Sequence, residues 1–313
     1  MTVNTGKKVA VITRTKNRVL LLKRAFKSVS SQTFRDFVWV IVNDGGERAP
    51  VEEIAEKARA SGIEVKVLHH EKSAGMEAAS NTGIRSCSSE YIVIHDDDDS
   101  WEPAFLERAT AFLDKEPLFA GVITHTTRIN EVIKNGIVRT TSQYGFNTWL
   151  KSVYLMEMLM VNSFPPISFV YKRSIYDTLG GYDESLPVLG DWDFNIRFLQ
   201  RADIGVIRER LANYHFRENI SDTDDEYGNT VVAGMEKHAR YDAILRNHYF
   251  RTDPAGLGTL INLAVMNNWQ NLKIDAISNR RLARGINALF LWLKGMNWFK
   301  HLVHKLRAAE SKK

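Results

Sequence analysis

Apolar and polar residues alternate in blocks along the first hundred positions. Val9-Ala10-Val11-Ile12-Thr13 is a short run with the length and β-branched content of a buried strand. Residues 14–18 are polar and turn-like, and from Leu20 to Ser31 the residues Leu21, Leu22, Ala25, Phe26 and Val29 recur on one helical face. Val38 to Val42 reads as a second buried strand, stopped by Asn43-Asp44-Gly45-Gly46. Residues 51–61 read as a helix, Glu64 to His69 as a third strand, and Ser73-Ala74-Gly75 leads into a helix carrying Asn81 and Ile84. A fourth strand starts at Tyr91 and runs straight into Asp96-Asp97-Asp98-Asp99. Strands that alternate with helices predict an α/β domain whose mostly parallel central sheet is flanked by helices. Ligands of such sheets bind outside the carboxyl ends of the strands. Thr15, Asp44 and Asp96 all fall at those ends.

The four aspartates carry the most chemistry. If the strand stays extended through them, Asp96 and Asp98 share one face and Asp97 and Asp99 the other. Adjacent carboxylates repel unless water or a cation compensates them. Hard oxygen ligands of this kind suit Mg²⁺ or Mn²⁺, commonly bound by one or two carboxylates together with substrate phosphates. A solvated acidic turn or a calcium loop is the alternative that this stretch alone leaves open.

Four elements in order extend the picture: Arg14-Thr15-Lys16-Asn17-Arg18, Val42-Asn43-Asp44-Gly45, Ala79-Ser80-Asn81-Thr82-Gly83-Ile84, and Tyr91 through Asp99 followed by Trp101 and Pro103. In this order and spacing they resemble the P-T-Y-N-R, V-D-D-G, A-R-N-x-G-I and Y-I-x-x-x-D-x-D-D elements of inverting family-2 glycosyltransferases with the GT-A fold. The resemblance implies that Arg14, Thr15, Asp44, Asn81, Asp96, Asp97 and Arg217 contact a nucleotide-sugar donor. Thr15 and Asp44 would hold the base, Asp44 accepting from a uracil-type N3–H. Asp98 would coordinate a divalent cation that bridges the diphosphate, Asp96 would meet the ribose or the metal and its water shell, and His215 would complete the metal sphere or touch the diphosphate. Arg14 stands in place of proline, Lys16 in place of tyrosine and Ser80 in place of arginine.

The second half supplies an acceptor side. Pro165-Pro166 precedes an expected strand over 167–171 and a short helix over 172–179. Gly180-Gly181-Tyr182-Asp183-Glu184 and Gly190-Asp191-Trp192-Asp193 then resemble the family's G-G-[FY]-D-E turn and E-D-W-D helix start, with Gly190 in place of the glutamate. Inverting transfer is a single displacement, so a carboxylate must accept the proton of the incoming hydroxyl. Asp191 is the chosen base, stabilised as an anion by its helix N-terminus; Asp193 stays open as the alternative, or as an i,i+4 partner of Arg197. His215 and Arg217 follow an apolar run, where His215 suits either the metal or a structural contact. His95 is expected to be structural, and residues 222–233 to form a polar loop that is either a lid or simply solvated.

Composition limits the alternatives. The chain has 313 residues, 44% hydrophobic and 25% charged, as in an ordinary globular protein. The single cysteine, Cys87, excludes an internal disulfide and a Cys-rich zinc site. Residues 1–12 contain no signal-peptide core, and the longest uncharged stretch, 254–272, is too polar to span a membrane. A cytoplasmic protein, at most peripheral on the inner membrane face, is expected. Residues 272–313 carry ten Lys/Arg against Asp275 and Glu310, in a chain of net charge +5. Apolar residues there recur at helical spacing, which suits an anionic membrane surface or packing against the catalytic domain or a homodimer partner. No recognition module supports nucleic-acid binding. The expected organisation is a GT-A catalytic domain over 1–250, divided near 105 into donor and acceptor halves, and a basic helical extension over 251–313.

The resemblance thus implies transfer of a sugar from a nucleotide diphosphate, expected to be UDP-linked, to a glycan or lipid-linked glycan, as in bacterial O-antigen or capsule synthesis. A sugar-phosphate nucleotidyltransferase would need a G-x-G-x-R loop after the first strand, and residues 14–18 contain no glycine. A scaffold that kept the fold and lost turnover is the non-enzymatic alternative.

Overall fold

The computed structural model describes residues 6–217, 227, 235–252 and 256. The polar and apolar blocks of the first hundred residues become β1 (Val9–Thr15), α1 (Val19–Ser30), β2 (Phe37–Asp44), α2 (Ala49–Ala60), β3 (Glu64–His70), α3 (Met76–Arg85) and β4 (Tyr91–Ile94). Then follow β5 (Ser100–Trp101), α4 (Phe105–Lys115), β6 (Phe119–Lys134), β7 (Ile137–Gly145), α5 (Leu155–Met160), β8 (Phe169–Lys172), α6 (Arg173–Leu179), α7 (Gly190–Leu199), β9 (Asp203–Phe216) and α8 (Met235–Thr252). The strand expected over 167–171 is shorter: Pro166–Ser168 forms one 3₁₀ turn, and pairing begins only at Phe169. Pro166 has no N–H to give a ladder, so it opens that turn instead.

All strands join one sheet, in the order β3-β2-β1-β4-β8-β6-β9-β5, with β7 on β6. Pairing is parallel through β3-β2-β1-β4 and again between β6 and β9, and antiparallel where β8 joins β4 to β6. Chain order runs outward from β1 to β3 and then returns to the other side of β1 with β4. The carboxyl ends of β1 and β4 therefore flank a topological switch point, the place where open α/β sheets form a ligand crevice.

Strand alternation decides which side chains reach that crevice. Val9 and Val11 of β1 and Trp39 and Ile41 of β2 share one face and pack with Leu22, Ala25, Val29, Ile54, Ala55, Phe105 and Leu106 of α1, α2 and α4. Ile12 and Val42 face α3, where a Cβ at Gly83 would come within 2.7 Å of Ile12 and 3.0 Å of Val42. Glycine there lets α3 seat directly on the sheet. Arg14 has the parity of Ile12 and also turns toward α3, while Thr15 turns away from it.

Residues 119–145 form a hairpin closed by Asn135-Gly136, both at positive φ (53° and 72°), the geometry of a two-residue type I′ turn. Contacts divide the chain into a unit Met1–Gly258 and a second unit Thr259–Lys313. The basic C-terminal stretch, and residues 222–233 apart from Tyr227, lie outside the described residues. Among the described residues, no helix is long and apolar enough to cross a membrane.

Candidate active site

The four aspartates do not continue β4. The chain turns at Asp96–Asp99, with the Asp99 N–H donating to the Asp96 carbonyl at 3.3 Å. Burial still alternates as expected for successive residues: Asp97 and Asp99 are each 2% exposed, whereas Asp96 and Asp98 are half-buried. The charge is compensated from several directions. Arg14 Nε donates to Asp96 Oδ1 at 2.8 Å, and Arg18 reaches Asp98 Oδ2 at 2.8 Å and Asp97 Oδ1 at 3.1 Å. Arg217 also donates to Asp98 Oδ2, and Arg24 to the Asp98 carbonyl. Burial alone would raise Asp98, but Arg18 and Arg217 hold its carboxyl well below the usual range. Asp97, buried beside Arg18 and the charge of Asp98, is pushed up to about 6.

Arg217 is 1% exposed and is itself fixed by Glu131, which accepts from Arg217 Nη1 at 2.9 Å and from Arg24 Nη2 at 2.8 Å and 2.9 Å. Burial would raise Glu131, but His215 and Arg24 lower it below the ordinary range. The guanidinium of Arg217, expected to meet a phosphate, is held by Glu131 and Asp98, and its Nε donates to Tyr227 O at 2.7 Å. His215 is committed as well. Its Nδ1 lies 3.0 Å from Glu131 Oε2 and its Nε2 2.9 Å from Ser100 Oγ. With Nδ1 donating to the carboxylate, Nε2 accepts from the serine hydroxyl.

Asp96 and Asp98 fit a divalent cation better. Their arginine contacts fall on Oδ1 of Asp96 and Oδ2 of Asp98, so the other oxygen of each carboxylate can face a hard cation that draws its further ligands from phosphates and water. Among the described residues, no group of three or more His, Cys, Asp or Glu forms a complete metal cage.

The remaining donor-side residues are bound into the rim. Thr15 Oγ1 donates to Asp97 Oδ2 at 2.7 Å, so Asp97, expected to contact the donor, points inward. Asp44 Oδ2 accepts from Ser73 Oγ and the Gly75 N–H, and its Oδ1 from the Ala74 N–H, with His70 Nδ1 2.8 Å away. Burial opposes the charged form of Asp44, but these hydrogen bonds prevail and lower its pKa. Asp44 thereby fixes loop 73–75, against which Gly45, at φ 79°, packs its backbone. Asn81 does not reach the crevice. It is fully buried; its Nδ2 donates to Tyr182 O and Glu184 Oε1, and its Oδ1 accepts from Tyr176 Oη and the Tyr182 N–H. All four hydrogen-bonding positions of the amide are filled, and they hold the 180–184 turn against α3.

In the half expected to meet the acceptor, Asp191 lies in the first turn of α7, half-buried, and Asn162 Nδ2 donates to its Oδ2 at 2.7 Å. Burial raises its pKa; Arg14, the Trp192 N–H and Asn162 offset this only in part, while Asp96 adds to it. A carboxylate held by one amide and a helix end is left with more basicity than one in an arginine pair. Asp193 is engaged differently: Arg197 Nε donates to its Oδ2 at 2.7 Å and Tyr249 Oη of α8 to its Oδ1 at 2.6 Å. Trp192 is buried, and Arg246 of α8 stacks on its ring at 4.6 Å. Its Nε1 donates to Met158 O. His95 is fully buried between Ser28 and the Asp96 carbonyl, and burial lowers its pKa to about 4.

Sequence reasoning missed Arg18, Arg24, Glu77, Glu131 and Asn162. Arg18 stood inside a quoted motif, and Glu131 was visible as an acid within a β-branched strand. Arg24 and Glu77 sit on ordinary amphipathic helices and Asn162 in the loop after α5, and nothing local marks them.

Comparison with known proteins gives this geometry a context. The uncharacterized glycosyltransferase YwdF of Bacillus subtilis is 27% identical over 190 residues, covering 61% of this chain and 67% of that protein. A PGL/p-HBAD biosynthesis glycosyltransferase of Mycobacterium bovis is 26% identical over 60% of this chain and 68% of its own length. Among solved structures, S. aureus TarS 1-349 in complex with UDP-GlcNAc superposes with a TM-score of 0.56 at 21% identity, covering 68% of this chain and 60% of TarS 1-349. The mannosyltransferase PcManGT of Pyrobaculum calidifontis, in complex with GDP-Man and Mn2+, superposes with a TM-score of 0.58 at 16% identity over 94% of this chain and 82% of its own. These likenesses establish a GT-A-type fold. The model of the family described as "Glycosyl transferase family 2" matches residues 10–180, more than half of the chain and the segment that carries Thr15, Asp44 and the four aspartates, and the chain belongs to that family.

Proposed function

We propose that this protein transfers a sugar from a nucleotide diphosphate, UDP-linked by preference, to a hydroxyl of a glycan or lipid-linked glycan acceptor, with inversion at the anomeric carbon. The observation that carries this reading is the meeting of two kinds of carboxylate at one crevice. Asp96 and Asp98 are ion-paired, while Asp191 is raised, and it is close enough to Arg14 and Asp96 to feel their charge. Asp191 accepts the proton of the incoming hydroxyl as the new bond forms at the anomeric carbon and the nucleoside diphosphate leaves. Asp96 and Asp98 would hold a Mg²⁺ or Mn²⁺, whose chemistry is to neutralise the leaving diphosphate. The rim formed by Thr15, Asp44 and loop 73–75 receives the base. UDP-GlcNAc in the TarS complex, and GDP-Man with Mn2+ in the PcManGT complex, support a nucleotide-sugar donor and a divalent metal. A role in surface polysaccharide synthesis follows from the sequence resemblance.

The test is a donor panel of UDP-, GDP- and dTDP-sugars, titrated by calorimetry with Mn²⁺, Mg²⁺ or EDTA, with nucleotide release followed in parallel. One donor should bind saturably, and both EDTA and Asp98→Ala should abolish that binding. Binding of no nucleotide sugar with either metal would sink the reading.

A further inference from the structure

Two departures from the family pattern, Ser80 for arginine and Gly190 for glutamate, turn out to be neighbours of a single ion pair. Gly190 opens α7, and a Cβ placed on it would overlap Cδ, Cγ and Oε1 of Glu77. A side chain at 190 would have to displace that of Glu77, which comes from the first turn of α3 and already lies there. Glu77 is 4% exposed, so its charge is not a solvated helix-face charge. Its Oε2 accepts from Arg14 Nη1 at 3.3 Å, and the same Nη1 lies 3.0 Å from Ser80 Oγ and 3.4 Å from Met76 O. On its other edge Arg14 holds Asp96. A guanidinium thus stands over position 80, coming from residue 14, and a carboxylate stands over position 190, coming from residue 77.

We propose that Glu77 is a positioning residue of the transfer site, a carboxylate relocated from position 190 to α3 that seats the N-terminus of α7 and orients Arg14 toward Asp96. Asp191 follows Gly190 directly, so the packing of Glu77 on Gly190 fixes where the base begins. Leu189, just before it, sits at φ 66°, a left-handed conformation that a leucine holds only when its surroundings impose it. Burial, with Asp191 and Asp96 adding to it and Arg14 opposing it, pushes Glu77 up to about 7, as befits a carboxylate packed among others. The inference rests on the transferase reading above, because positioning is defined relative to that reaction.

The test relocates the carboxylate. E77S, E77Q, G190E, E77S/G190E and E77S/G190Q are compared with the wild type by thermal melting, by calorimetry with UDP-GlcNAc and GDP-mannose plus Mn²⁺, and by nucleotide release from the donor that binds. E77S should slow release about 30-fold with donor affinity changed less than about 3-fold, and G190E should lower the melting temperature and release together. E77S/G190E should recover the melting temperature of G190E and raise release about 10-fold over E77S, while E77S/G190Q recovers stability only. Equal rescue of release by glutamine and glutamate, wild-type release by E77Q, or no recovery of stability in the double variant would each overturn the proposal. Donor binding by no variant and not by the wild type would instead remove the transferase reading, while the melting temperatures still judge the exchange of Glu77 for residue 190.

Discussion

Asp98 and Asp191, on the two sides of the crevice, are treated in opposite ways. On the donor side, Asp96 and Asp98 are each joined to at least one arginine, and Glu131 braces Arg217 and Arg24 from behind. On the acceptor side, Asp191 has an amide, a backbone N–H and a distant guanidinium. Burial is common to both, and the charges beside each carboxylate separate them: Asp98, paired with Arg18 and Arg217, is held well below the usual range, Asp97, with Arg18 but beside the charge of Asp98, is pushed up to about 6, and Asp191, held by an amide and a backbone N–H, is raised. A carboxylate kept anionic suits a cation, and one left basic suits a proton.

The largest effect should come from breaking the basic side. Asp191→Asn removes the proton acceptor at constant shape, and kcat should fall about 10³-fold with the donor Kd little changed; a fall of less than about 10-fold would move the base elsewhere. Next is the brace of the paired side. Glu131→Ala takes from buried Arg217 and partly buried Arg24 the carboxylate that they share, and should cost about 3 kcal/mol in denaturant unfolding. A variant as stable as the wild type would show that the arginines find other partners.

Glu77 gives a smaller, pH-dependent effect. Its folded pKa of about 7 stands above the ordinary 4.5, so the unfolded chain releases this proton first as pH rises. The stability that it contributes is complete below about pH 4.5 and is lost as pH rises through about 7. Wild type and Glu77→Gln should therefore be equally stable at pH 4.5, with the variant ahead by about 1–3 kcal/mol at pH 8. A difference that does not change with pH would count against a titrating Glu77. The finest adjustment is Asn162→Ala. Loss of a hydrogen bond to the charged form should raise Asp191 further and move the acid limb of the kcat profile up by about half a pH unit. A limb that stays in place would mean that another group controls it.

The fold was legible because its signals are local. The apolar runs at 9–13 and 38–42 became β1 and β2, and the helical face of 20–31 became α1, since buried strands and amphipathic helices are written in consecutive residues. Position was legible for the candidates on the sheet rim, as at Asp44 and Asp96, and at the start of α7, as at Asp191. Use was less legible wherever it depends on what stands opposite. Asn81 reads like a ligand contact but meets the 180–184 turn. His215 reads like a metal ligand but has Ser100 and Glu131 on its two nitrogens. In both, hydrogen-bonding capacity is finite, and the protein itself uses it.

What the sequence determined by itself is the α/β architecture, the placing of Thr15, Asp44 and the aspartates at strand ends, and Asp191 at a helix start. These follow from periodicities of two and 3.6 residues and from the residues that stop them. What only the tertiary structure decided is which charge meets which. Arg14 finds Glu77 across 63 residues, Arg217 finds Glu131 across 86, and Arg217 finds Asp98 across 119. Such pairs depend on the order in which strands enter the sheet, and on the parity that turns Arg14 to α3 and Thr15 to Asp97. Their strength depends on burial, which sequence spacing does not contain.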